Sequence, residues 1–435
     1  MLVDAAYTEL SFLLHSAAKA GKSVYLHLEP AVWDITDPKV ENSLAVCTAD
    51  SRFTMPVAVD NLPFQFAALK QSILAEGRIV IGWDLKPLFS WFKKHLRKSD
   101  LPKLKYFDLK LLENYAGVKL SKPATFAEAQ IRVEAITKQD NWTQATTIWQ
   151  KVLKPLAMTV VPSIENHGVL NVEREARVHP CYEIEAQDNG RMSCTGAFQW
   201  GINAHTISED IGGKLRPSGL DELFLYFDYS NMEVAVLQWL AEDEDLGEVL
   251  NEEGDAYEII FKRIFGKTTE NSRKTAKKIF LPTIYGLSTS GLVEKLGCQE
   301  SFARTVINRL NEQFAKSFRY VEQFQEDAKS GVVRDRFGRR RFLTEPHKAR
   351  NFSISSPATA ICLERLVALH TLNVSPVLFS IHDGFVVSTT SKNFRDVYVA
   401  VKECLQSESS LAPGLKLKVS CKSGRNMNEK DMQRL

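Results

Sequence analysis

A short apolar run that ends at an aspartate, followed at once by a helical pattern, restricts most strongly how this chain can fold. Residues 223–227 are wholly apolar, which is typical of a buried strand, and Asp228 follows them directly. From Met232 onward the apolar residues recur at the spacing of a helix. The sequence therefore predicts a carboxylate at the point where a buried strand ends and a helix begins.

Asp228 has two explanations at this stage. An aspartate before a helix is a common N-cap, because its oxygen accepts from the free N–H groups of the first turn. Ser230 could provide that cap, however, and a buried carboxylate without a partner is costly. A divalent cation would offset that cost, since Mg²⁺ takes oxygen ligands.

A second aspartate lies in a similar position further along the chain. Residues 379–387 read FSIHDGFVV, and the two apolar flanks predict short strands joined by a tight turn. Asp383 and Gly384 are common turn residues for backbone reasons alone, so the turn by itself would explain them. If the strands that carry Asp228 and Asp383 are neighbours, the two side chains could hold two Mg²⁺ ions for phosphoryl transfer.

Two basic stretches favour a polyanionic partner. Seven of the seventeen residues in 262–278 are Lys or Arg, and residues 334–341 contain five arginines. Such runs are usually solvated helix faces. The second run brackets Phe337 and Gly338, however, which indicates a loop or hairpin that presents guanidinium groups to phosphates.

Length and composition set the broad class of protein. The 435 residues predict two or three domains, and a net charge of +2 does not by itself indicate nucleic acid. The seven cysteines show no CxxC spacing, so we expect neither a zinc site nor a disulfide framework, and a reduced intracellular protein fits best. Residues 1–23 predict an amphipathic helix and not a signal peptide. No apolar run reaches 18 residues, so we expect a soluble, cytoplasmic protein without a membrane span.

The pattern along the chain divides it into three parts. Residues 1–124 alternate strand-like and helix-like pieces and predict an α/β domain. Residues 125–190 predict a helical connector, and residues 191–435 a mixed domain of helices with a few strands. Within the first part, strands are predicted near 24–30, 44–50, 53–59 and 78–83, and helices at 63–77 and 85–98.

Four short motifs and an arginine element occur in an order found in one protein family. They are GRMS at 190–193, DYSNME at 228–233, RKTAK at 273–277 with YG at 285–286, GRRR at 338–341, and HD at 382–383. This series resembles the family A DNA polymerases. Their corresponding elements are GRLS, motif A (DYSQIE), motif B on the fingers helix, a GRRR element seen in phage members, and motif C (HDE). The resemblance covers the chain from about residue 154 onward.

The resemblance implies a fold for both halves of the chain. The second half would be an α+β right-hand polymerase domain, with an antiparallel palm sheet, helical fingers at about 245–330 and a minimal thumb. Residues 1–124 would form an RNase H-like, exonuclease-like α/β domain. The sequence HLE at 27–29 stands where that domain has Asp-x-Glu, and Leu88 replaces a metal-binding aspartate. Asp108 fits a structural element better than a metal site, so we expect this domain to lack nuclease activity.

The resemblance also assigns a metal site. Asp228, Asp383 and the main-chain carbonyl of Tyr229 would hold two Mg²⁺ ions, for which Mn²⁺ is a substitute. Glu233 would exclude a ribose 2′-OH.

The nucleotide-binding residues implied by the resemblance lie on one helix. Arg273 and Lys277 are one helical turn apart and would hold the triphosphate of the incoming dNTP, with Lys277 also protonating the leaving pyrophosphate. Leu281 replaces the aromatic residue that abuts the sugar, and Tyr285 would stack at the nascent base pair.

The implied DNA contacts involve residues from several motifs. His382 would touch the primer terminus, and Arg191 the minor groove near it. The other DNA-binding residues expected on this basis are Gln199, Arg339, Arg340 and Arg341.

Three departures from the family pattern carry expectations of their own. Pro282 within motif B predicts a kink or helix break around residues 278–282. Gly384 replaces the glutamate of HDE, so the ions would be held by two aspartates, backbone, water and the nucleotide's phosphates. The short stretch between Glu165 and Arg191 leaves little room for a thumb. We therefore expect low processivity unless a partner protein replaces the thumb.

The leading interpretation is a template-directed DNA polymerase that joins dNTPs to a primer 3′-OH on primer–template DNA. A polymerase-like protein that binds primer–template or nucleotide without turnover is the alternative. A nuclease that acts through the N-terminal domain is a third reading.

Overall fold

The chain forms two compact units in a computed structural model, which describes residues 24–29, 42–47, 52–57, 80–85, 106–118, 120–139, 142–159, 168–196, 201–343, 345 and 347–435. Unit 1 comprises Met1–Ala186, Met192–Leu220 and Asn426–Glu429. Unit 2 comprises Gln187–Arg191, Asp221–Arg425 and Lys430–Leu435.

A five-stranded mixed sheet belongs to unit 1. Its strands are β1 (Val24–Glu29), β2 (Asn42–Cys47), β3 (Arg52–Val57), β4 (Val80–Trp83) and β5 (Tyr106–Asp108). The order is β3-β2-β1-β4-β5, with β2 antiparallel to both neighbours and β1, β4 and β5 parallel to one another. Val24, Val46 and Val80 are buried, as expected for strands inside a layered α/β fold.

The four strands predicted in this region are confirmed. The amphipathic helix predicted at 1–23 and the helix predicted at 63–77 lie outside the described residues, as does all but the first residue of the helix predicted at 85–98. Leu88 is also outside them.

Asp108 ties the ends of β4 and β5 to the helix that follows, α1 (Leu109–Tyr115). Its carboxylate is fully buried and accepts from the backbone N–H of Leu85 (2.8 Å), Asp84 (3.2 Å) and Leu111 (3.4 Å). Burial, reinforced by Asp84, raises the pKa of Asp108 to about 7. The side chain thus serves as an N-cap and a link between strands, which is the structural use that the sequence predicted.

Further helices of unit 1 follow the sheet. They are α2 (Phe126–Thr137), α3 (Trp142–Ile148), a π-helical turn (Trp149–Leu153) and α4 (Lys154–Thr159). Thr125 caps α2 by accepting from the N–H of Glu128. Arg132 donates to both carboxylate oxygens of the buried Glu113 and lies over the ring of Trp83, so α2 is fastened to α1 and to the sheet.

Two small sheets and a helix also belong to unit 1. They consist of β6 (Val169–Asn171), β7 (Ala176–Arg177), β8 (His179–Glu183), β9 (Ser193–Thr195), β10 (Gly201–Ile202), α5 (Glu209–Lys214) and β11 (Leu215–Pro217). The strand orders are β10-β8-β9 and β11-β6-β7.

An antiparallel five-stranded sheet lies in unit 2, beside a separate two-stranded hairpin. The strands of the sheet and the hairpin are β12 (Glu222–Ser230), β13 (Val332–Arg334), β14 (Arg340–Phe342), β15 (Val377–Ile381), β16 (Gly384–Thr390), β17 (Lys418–Gly424) and β18 (Gln433–Arg434). The sheet order is β15-β16-β12-β17-β18, and β13 pairs with β14. Phe224, Phe227, Phe379 and Phe385 are buried, so the apolar flanks of both predicted segments form the core strands.

The helices of unit 2, except the last of them, contribute to a shared apolar core. They are α6 (Met232–Ala241), α7 (Glu244–Asn251), α8 (Ala256–Phe265), α9 (Ser272–Ile284), α10 (Thr289–Leu296), α11 (Glu300–Gln313), α12 (Ala315–Asp327), α13 (Lys348–Leu372) and α14 (Phe394–Gln406). Phe280 of α9, Phe314 and Ile354 of α13 meet in this core. Asp243 caps α7 and accepts from Ser317, so the starts of α7 and α12 are joined by a buried carboxylate.

Helix α13 is, among the described residues, the one helix long and apolar enough to cross a membrane by length and composition. Its apolar window is 89% buried inside the fold. The same test is passed by the core helix of a globular unit, and burial of α13 against its neighbours fits that explanation.

Helix α9 contradicts the helix break predicted around residues 278–282, whereas the kink stays a prediction. It runs without a break from Ser272 to Ile284, although Pro282 lies inside it. Proline removes the bond that its own N–H would make and crowds the preceding turn, but Pro282 lies in the last turn, where the helix ends two residues later. The N–H of Tyr285 still bonds to the Leu281 carbonyl at 2.8 Å, so the final turn closes around the proline.

Replacing Pro282 should stabilise the chain. Pro282→Ala restores an N–H for the Lys278 carbonyl and removes ring crowding, so we expect the free energy of unfolding to rise by about 1–3 kcal/mol. Urea unfolding of the full chain measures the effect. Pro413→Ala, in an exposed loop, is the matched control and should be neutral or slightly destabilising. A less stable Pro282→Ala would contradict the expectation.

Asp108 should make unit 1 less stable as the pH rises. The folded form holds the Asp108 proton to about pH 7, whereas the unfolded chain loses it near 3.8. The folded state therefore binds more protons between these values, and its stability falls as pH rises through that window, by up to about 4 kcal/mol.

Thermal melting from pH 4 to 8 tests this expectation with Asp108→Asn, which cannot titrate. Any shift that the substitution itself causes in the melting temperature of the variant should be the same at every pH. Between pH 4 and 7 the melting temperature of the wild type should fall relative to that of the variant, and above pH 7 the two curves should be parallel. Asp210→Asn, at an exposed position, should track the wild type. Parallel curves for Asp108→Asn over the whole range would disprove the effect.

Candidate active site

Two aspartates lie at the ends of paired strands in unit 2. Asp228, near the end of β12, pairs with Gly384 on one side and with Ser420 of β17 on the other. Asp383 is the residue directly before Gly384, in the two-residue turn between β15 and β16. The register therefore brings Asp228 and Asp383 to the same end of the sheet.

The turn that carries Asp383 is tight. His382 has a φ of 55°, a left-handed conformation uncommon for residues other than glycine. The thiol of Cys362, on α13, donates to the His382 carbonyl at 3.8 Å. Burial raises the pKa of this thiol, as do Asp383 and Asp228, while Arg191 lowers it. Both aspartates and Arg191 thus influence the same buried thiol, which is bonded to the turn that carries Asp383.

The oxygen atoms at this end of the sheet suit a hard divalent cation. Two carboxylates and the main-chain carbonyl of Tyr229 are the kind of ligand that Mg²⁺ takes. The side chain of Tyr229 is committed elsewhere, because its ring is buried and its hydroxyl donates to the Leu405 carbonyl at 2.9 Å. No group of three or more His, Cys, Asp or Glu side chains that could hold a metal occurs in the described part of the chain. A bound ion would therefore need water, main chain or nucleotide phosphates as further ligands.

Glu233 joins two of the predicted site residues. It lies in the first turn of α6, which starts after Asn231 in the left-handed conformation (φ 58°). Its carboxylate accepts from Arg191 at 3.1 Å and from the Tyr285 hydroxyl at 2.7 Å. Burial and then Glu233 raise the pKa of Tyr285 well above its ordinary value. The three side chains form one hydrogen-bonded network across α6, α9 and the GRMS segment.

Helix α9 presents Arg273 and Lys277 on one face, as the spacing predicted. Arg273 is half-exposed and donates to the Asp255 carboxylate at 2.7 Å. Lys277 lies over the ring of Tyr257, with its ammonium 5.4 Å from the ring centroid. Both cations are therefore held in defined positions before any ligand is bound.

Sequence reasoning missed Asp255 and Tyr257. Asp255 caps α8 by accepting from the N–H groups of Tyr257 and Glu258. Burial raises the pKa of the Tyr257 hydroxyl, and Glu233, Asp255 and Asp383 add to it while Arg273 opposes it. The charges of Asp383, at the sheet end, and of Arg273, on α9, thus both influence the Tyr257 hydroxyl. The Gly-Asp pair before an apolar pattern signals an N-cap, but nothing local in it reveals the partner on α9.

The remaining predicted residues differ in their exposure, and one of them is not described by the structure. Leu281 is half-buried and packs against the core of unit 2. His382 is exposed at the turn. Gln199 lies outside the described residues.

The arginine element corrects part of the DNA-binding prediction. Arg339 is only 1% exposed, and its Nε donates to the Ser356 hydroxyl at 2.9 Å. Asp335, which accepts from Ser356 at 2.6 Å, lies 4.0 Å from the guanidinium. Burial raises the pKa of Asp335, and Arg339 opposes that rise. Because its guanidinium is enclosed, Arg339 cannot contact DNA in this conformation and supports the β13–β14 hairpin against α13.

The two arginines that follow Arg339 differ in how far they are buried. Arg341 is 4% exposed and donates to the Gln187 carbonyl at 3.2 Å, whereas Arg340 is half-buried. The GRMS segment meets the same element at Gly190, whose φ is +81°. A Cβ at Gly190 would lie 2.3 Å from Nη2 of Arg339, so glycine is required both by the backbone and by this close approach.

Comparison with known proteins identifies the class first. The fold is similar to that of a solved structure titled "POL domain of Pol1 from M. smegmatis complex with DNA primer-template and dNTP", with a TM-score of 0.68 at 14% identity, over 97% of this chain and 98% of that chain. The fold is therefore that of a polymerase domain. Residues 132–429, more than half of the chain, match DNA polymerase family A, and the chain belongs to that family.

The curated relatives are longer proteins. DNA polymerase I of Chloroflexus aurantiacus is 29% identical over 201 residues, which is 44% of this chain and 20% of that protein. DNA polymerase I of Bacillus caldotenax is 27% identical over 279 residues, which is 58% of this chain and 31% of that protein. The chain spans a third or less of the length of these relatives.

Gly190 offers a test of the buried arginine. Gly190→Ala should lower the free energy of unfolding by about 1 kcal/mol for the left-handed backbone and by about 2 kcal/mol more for the clash with the enclosed Arg339. Gly331→Ala is the matched control, because Gly331 has a φ of +83° and no atom within 4 Å of the added Cβ. Chemical unfolding of both variants measures the difference, and equal losses would show that Arg339 does not constrain this position.

Proposed function

We propose that this chain is a template-directed DNA polymerase that transfers nucleotides from dNTPs to a primer 3′-OH. The observation that carries the proposal is a hydrogen bond between the two parts of the site: Glu233, five residues after Asp228, accepts from the hydroxyl of Tyr285, the residue that follows α9, at 2.7 Å. A carboxylate pair suited to cations and a basic helix suited to phosphates are thus joined, and a nucleoside triphosphate would bind to both.

The metal site of the proposal consists of Asp228, Asp383 and the Tyr229 carbonyl, holding two Mg²⁺ ions or Mn²⁺ in their place. When bound, the ions stabilise charge on the attacking and leaving oxygens of an in-line displacement. The two aspartates hold their place through the β12–β16 register, so the chain's own contribution is a rigid pair of ligands.

The triphosphate would be held by α9. Arg273 now contacts Asp255, and Lys277 lies over the Tyr257 ring. Both would move to the phosphate oxygens of the nucleotide, because a triphosphate carries more negative charge than either partner. The primer 3′-OH would lose its proton to water as its oxygen bonds to the α-phosphorus, the bond from that phosphorus to pyrophosphate would break, and Lys277 would give the leaving oxygen a proton.

The sugar and base would meet a second group of residues. Glu233, anchored by Arg191 and Tyr285, would leave no room for a ribose 2′-OH. Leu281 would lie against the sugar, and Tyr285 would stack at the nascent base pair.

The primer–template would contact residues at the turn and the basic elements. Exposed His382 would touch the primer terminus and half-exposed Arg191 the minor groove, with Arg340 and Gln199 as further contacts. Arg339 and Arg341 are left out of this set because both are buried.

The N-terminal part, residues 1–124, would be an exonuclease-like domain without nuclease activity. Support for an RNase H-like fold comes from the β3-β2-β1-β4-β5 order with β2 antiparallel to the rest. The use of Asp108 as a structural cap supports the loss of chemistry. Residues 125–190 would be the connector with a residual thumb, and residues 191–435 the palm and fingers, with the fingers at about 245–330.

The setting of the enzyme is part of the same proposal. A minimal thumb would hold duplex weakly, so the isolated chain should have low processivity unless a protein partner replaces the thumb. The chain would act in the cytoplasm as a soluble protein in DNA replication or repair, in a bacterial or phage-infected cell, without a membrane partner.

A second candidate function is a polymerase-like protein that binds primer–template or nucleotide without turnover. The observation that favours it is Gly384, which leaves two acidic side chains at the end of the described sheet where the family's HDE motif has a further glutamate.

Primer extension with the four dNTPs and Mg²⁺ separates these functions. Asp228→Asn and Asp383→Asn should each reduce the extension rate by about 1,000-fold, because metal charge stabilisation is worth several kcal/mol and each 1.36 kcal/mol is tenfold. Glu222→Gln, at the far end of the same strand, is the control and should extend normally.

The other outcomes are equally specific. Tight binding of primer–template by the wild type without extension would establish the binding function instead. Mg²⁺-dependent trimming of the 3′ end that survives Asp228→Asn would assign nuclease activity to the N-terminal part.

A further inference from the structure

Tyr226 lies two residues before Asp228 on β12, so both side chains project from the same face of the strand. Both are half-buried, while their neighbour Phe227 points into the core. The Tyr226 hydroxyl donates to Oδ1 of Asp228 at 3.5 Å. An aromatic residue therefore reaches along the strand to the carboxylate at its end.

Gly384 lies directly opposite Asp228 on β16, and its glycine is not explained by backbone conformation. It is the first residue of β16 and is absent from the glycines with positive φ in the described chain, so a side chain would cause no backbone strain there. The explanation is spatial. A Cβ at Gly384 would lie 2.6 Å from Cε2 of Tyr226, 2.9 Å from its hydroxyl oxygen and 3.0 Å from the Phe227 carbonyl oxygen.

These distances mean that the Tyr226 ring fills the volume that a side chain at position 384 would need. Real Cβ atoms do not approach heavy atoms closer than about 3.0 Å, because repulsion rises steeply below van der Waals contact. The ring can reach Asp228 only because position 384 has no side chain. The two residues are thus complementary in shape across the β12–β16 pair.

We propose that Tyr226 is a positioning residue for Asp228, and that Gly384 is the residue that admits it. The hydroxyl restricts the rotamer of the Asp228 carboxylate by donating to Oδ1, so that the carboxylate is presented to a divalent cation in one orientation. This inference rests on the proposed function, since it assumes that Asp228 is a metal ligand. It adds a residue that no motif of the sequence singled out.

A purely structural role for Tyr226 makes a different prediction. If the ring only fills space, removing the hydroxyl changes nothing, whereas positioning depends on that oxygen. Tyr226→Phe keeps the ring and removes the hydrogen bond. Tyr320→Phe is the matched control, since its hydroxyl makes a bond of similar length, 3.4 Å to the Ser353 carbonyl, away from the two aspartates.

The first experiment measures Mn²⁺ binding by electron paramagnetic resonance. The full chain is bound to primer–template ending in a dideoxynucleotide with the matching dNTP, so that no reaction occurs. Tyr226→Phe should weaken Mn²⁺ binding about 3- to 10-fold, the size expected for one hydrogen bond to a charged group at long distance. In primer extension the same variant should lower kcat by a similar factor with the KM for dNTP unchanged, while Tyr320→Phe matches the wild type.

The second experiment tests the shape complementarity without any metal or substrate. Gly384→Ala should lower the melting temperature, because its Cβ collides with the Tyr226 ring. Adding Tyr226→Leu, which removes Cε2 and the hydroxyl, should recover about half or more of that loss, a non-additive result typical of residues in contact. The double variant should still bind Mn²⁺ as weakly as Tyr226→Phe, because the hydroxyl is absent.

The outcomes distinguish failure of this inference from failure of the proposed function. If Asp228→Asn leaves Mn²⁺ binding unchanged, Asp228 is not a ligand and both fall. If Asp228→Asn abolishes a site while Tyr226→Phe binds Mn²⁺ and turns over like the wild type, the positioning role alone is overturned. Strictly additive melting temperatures for Gly384→Ala and Tyr226→Leu would overturn the pairing of the two residues.

Discussion

The antiparallel pairing of β12 with β16 is the constraint on which the rest of unit 2 depends. Its register sets Asp228 opposite Gly384 and next to the turn residue Asp383. Two carboxylates at adjoining positions supply oxygen ligands of the kind that a divalent cation takes. A shift of one residue would turn Asp228 to the other face of the sheet and separate the pair. The proposed roles of three positive side chains, Arg191, Arg273 and Lys277, depend on that register, because it brings the two aspartates together.

A buried arginine restricts the position of an accessible arginine at the same site. Arg339 is fixed by Ser356 and Asp335, and Gly190 lies against its guanidinium. The next residue, Arg191, reaches Glu233. The enclosed arginine therefore sets the position of an accessible one, because the segment between them can follow only a narrow path.

Much of the fold could be predicted because its signals are local. The apolar run before Asp228, the alternation around the turn at Asp383 and the shared face of Arg273 and Lys277 depend on residues within a few positions of each other. Local rules failed where the outcome depends on distant residues. The enclosure of Arg339 requires α13, and a run of arginines gives no sign of which one is covered.

The predicted helix break at Pro282 was wrong for a different reason. Proline inside a helix does remove a hydrogen bond, but whether the helix breaks depends on how far the proline lies from the helix end. The position of that end is harder to predict from sequence than the helix itself. The N-cap at Asp255 was visible in the sequence, whereas its bond to Arg273 was not.

The sequence determined the strand that ends at Asp228, the hairpin that carries Asp383, the basic face of α9 and membership of the polymerase family, since each follows from short-range spacing and motif order. Only the tertiary structure decided what lies against these residues. Gly384 reads as a turn residue in the sequence, and in the fold it is the space that admits Tyr226 to Asp228. The physical reason is that periodicity and backbone preference act between neighbours in the sequence, whereas register, burial and close approach act between different segments of the chain.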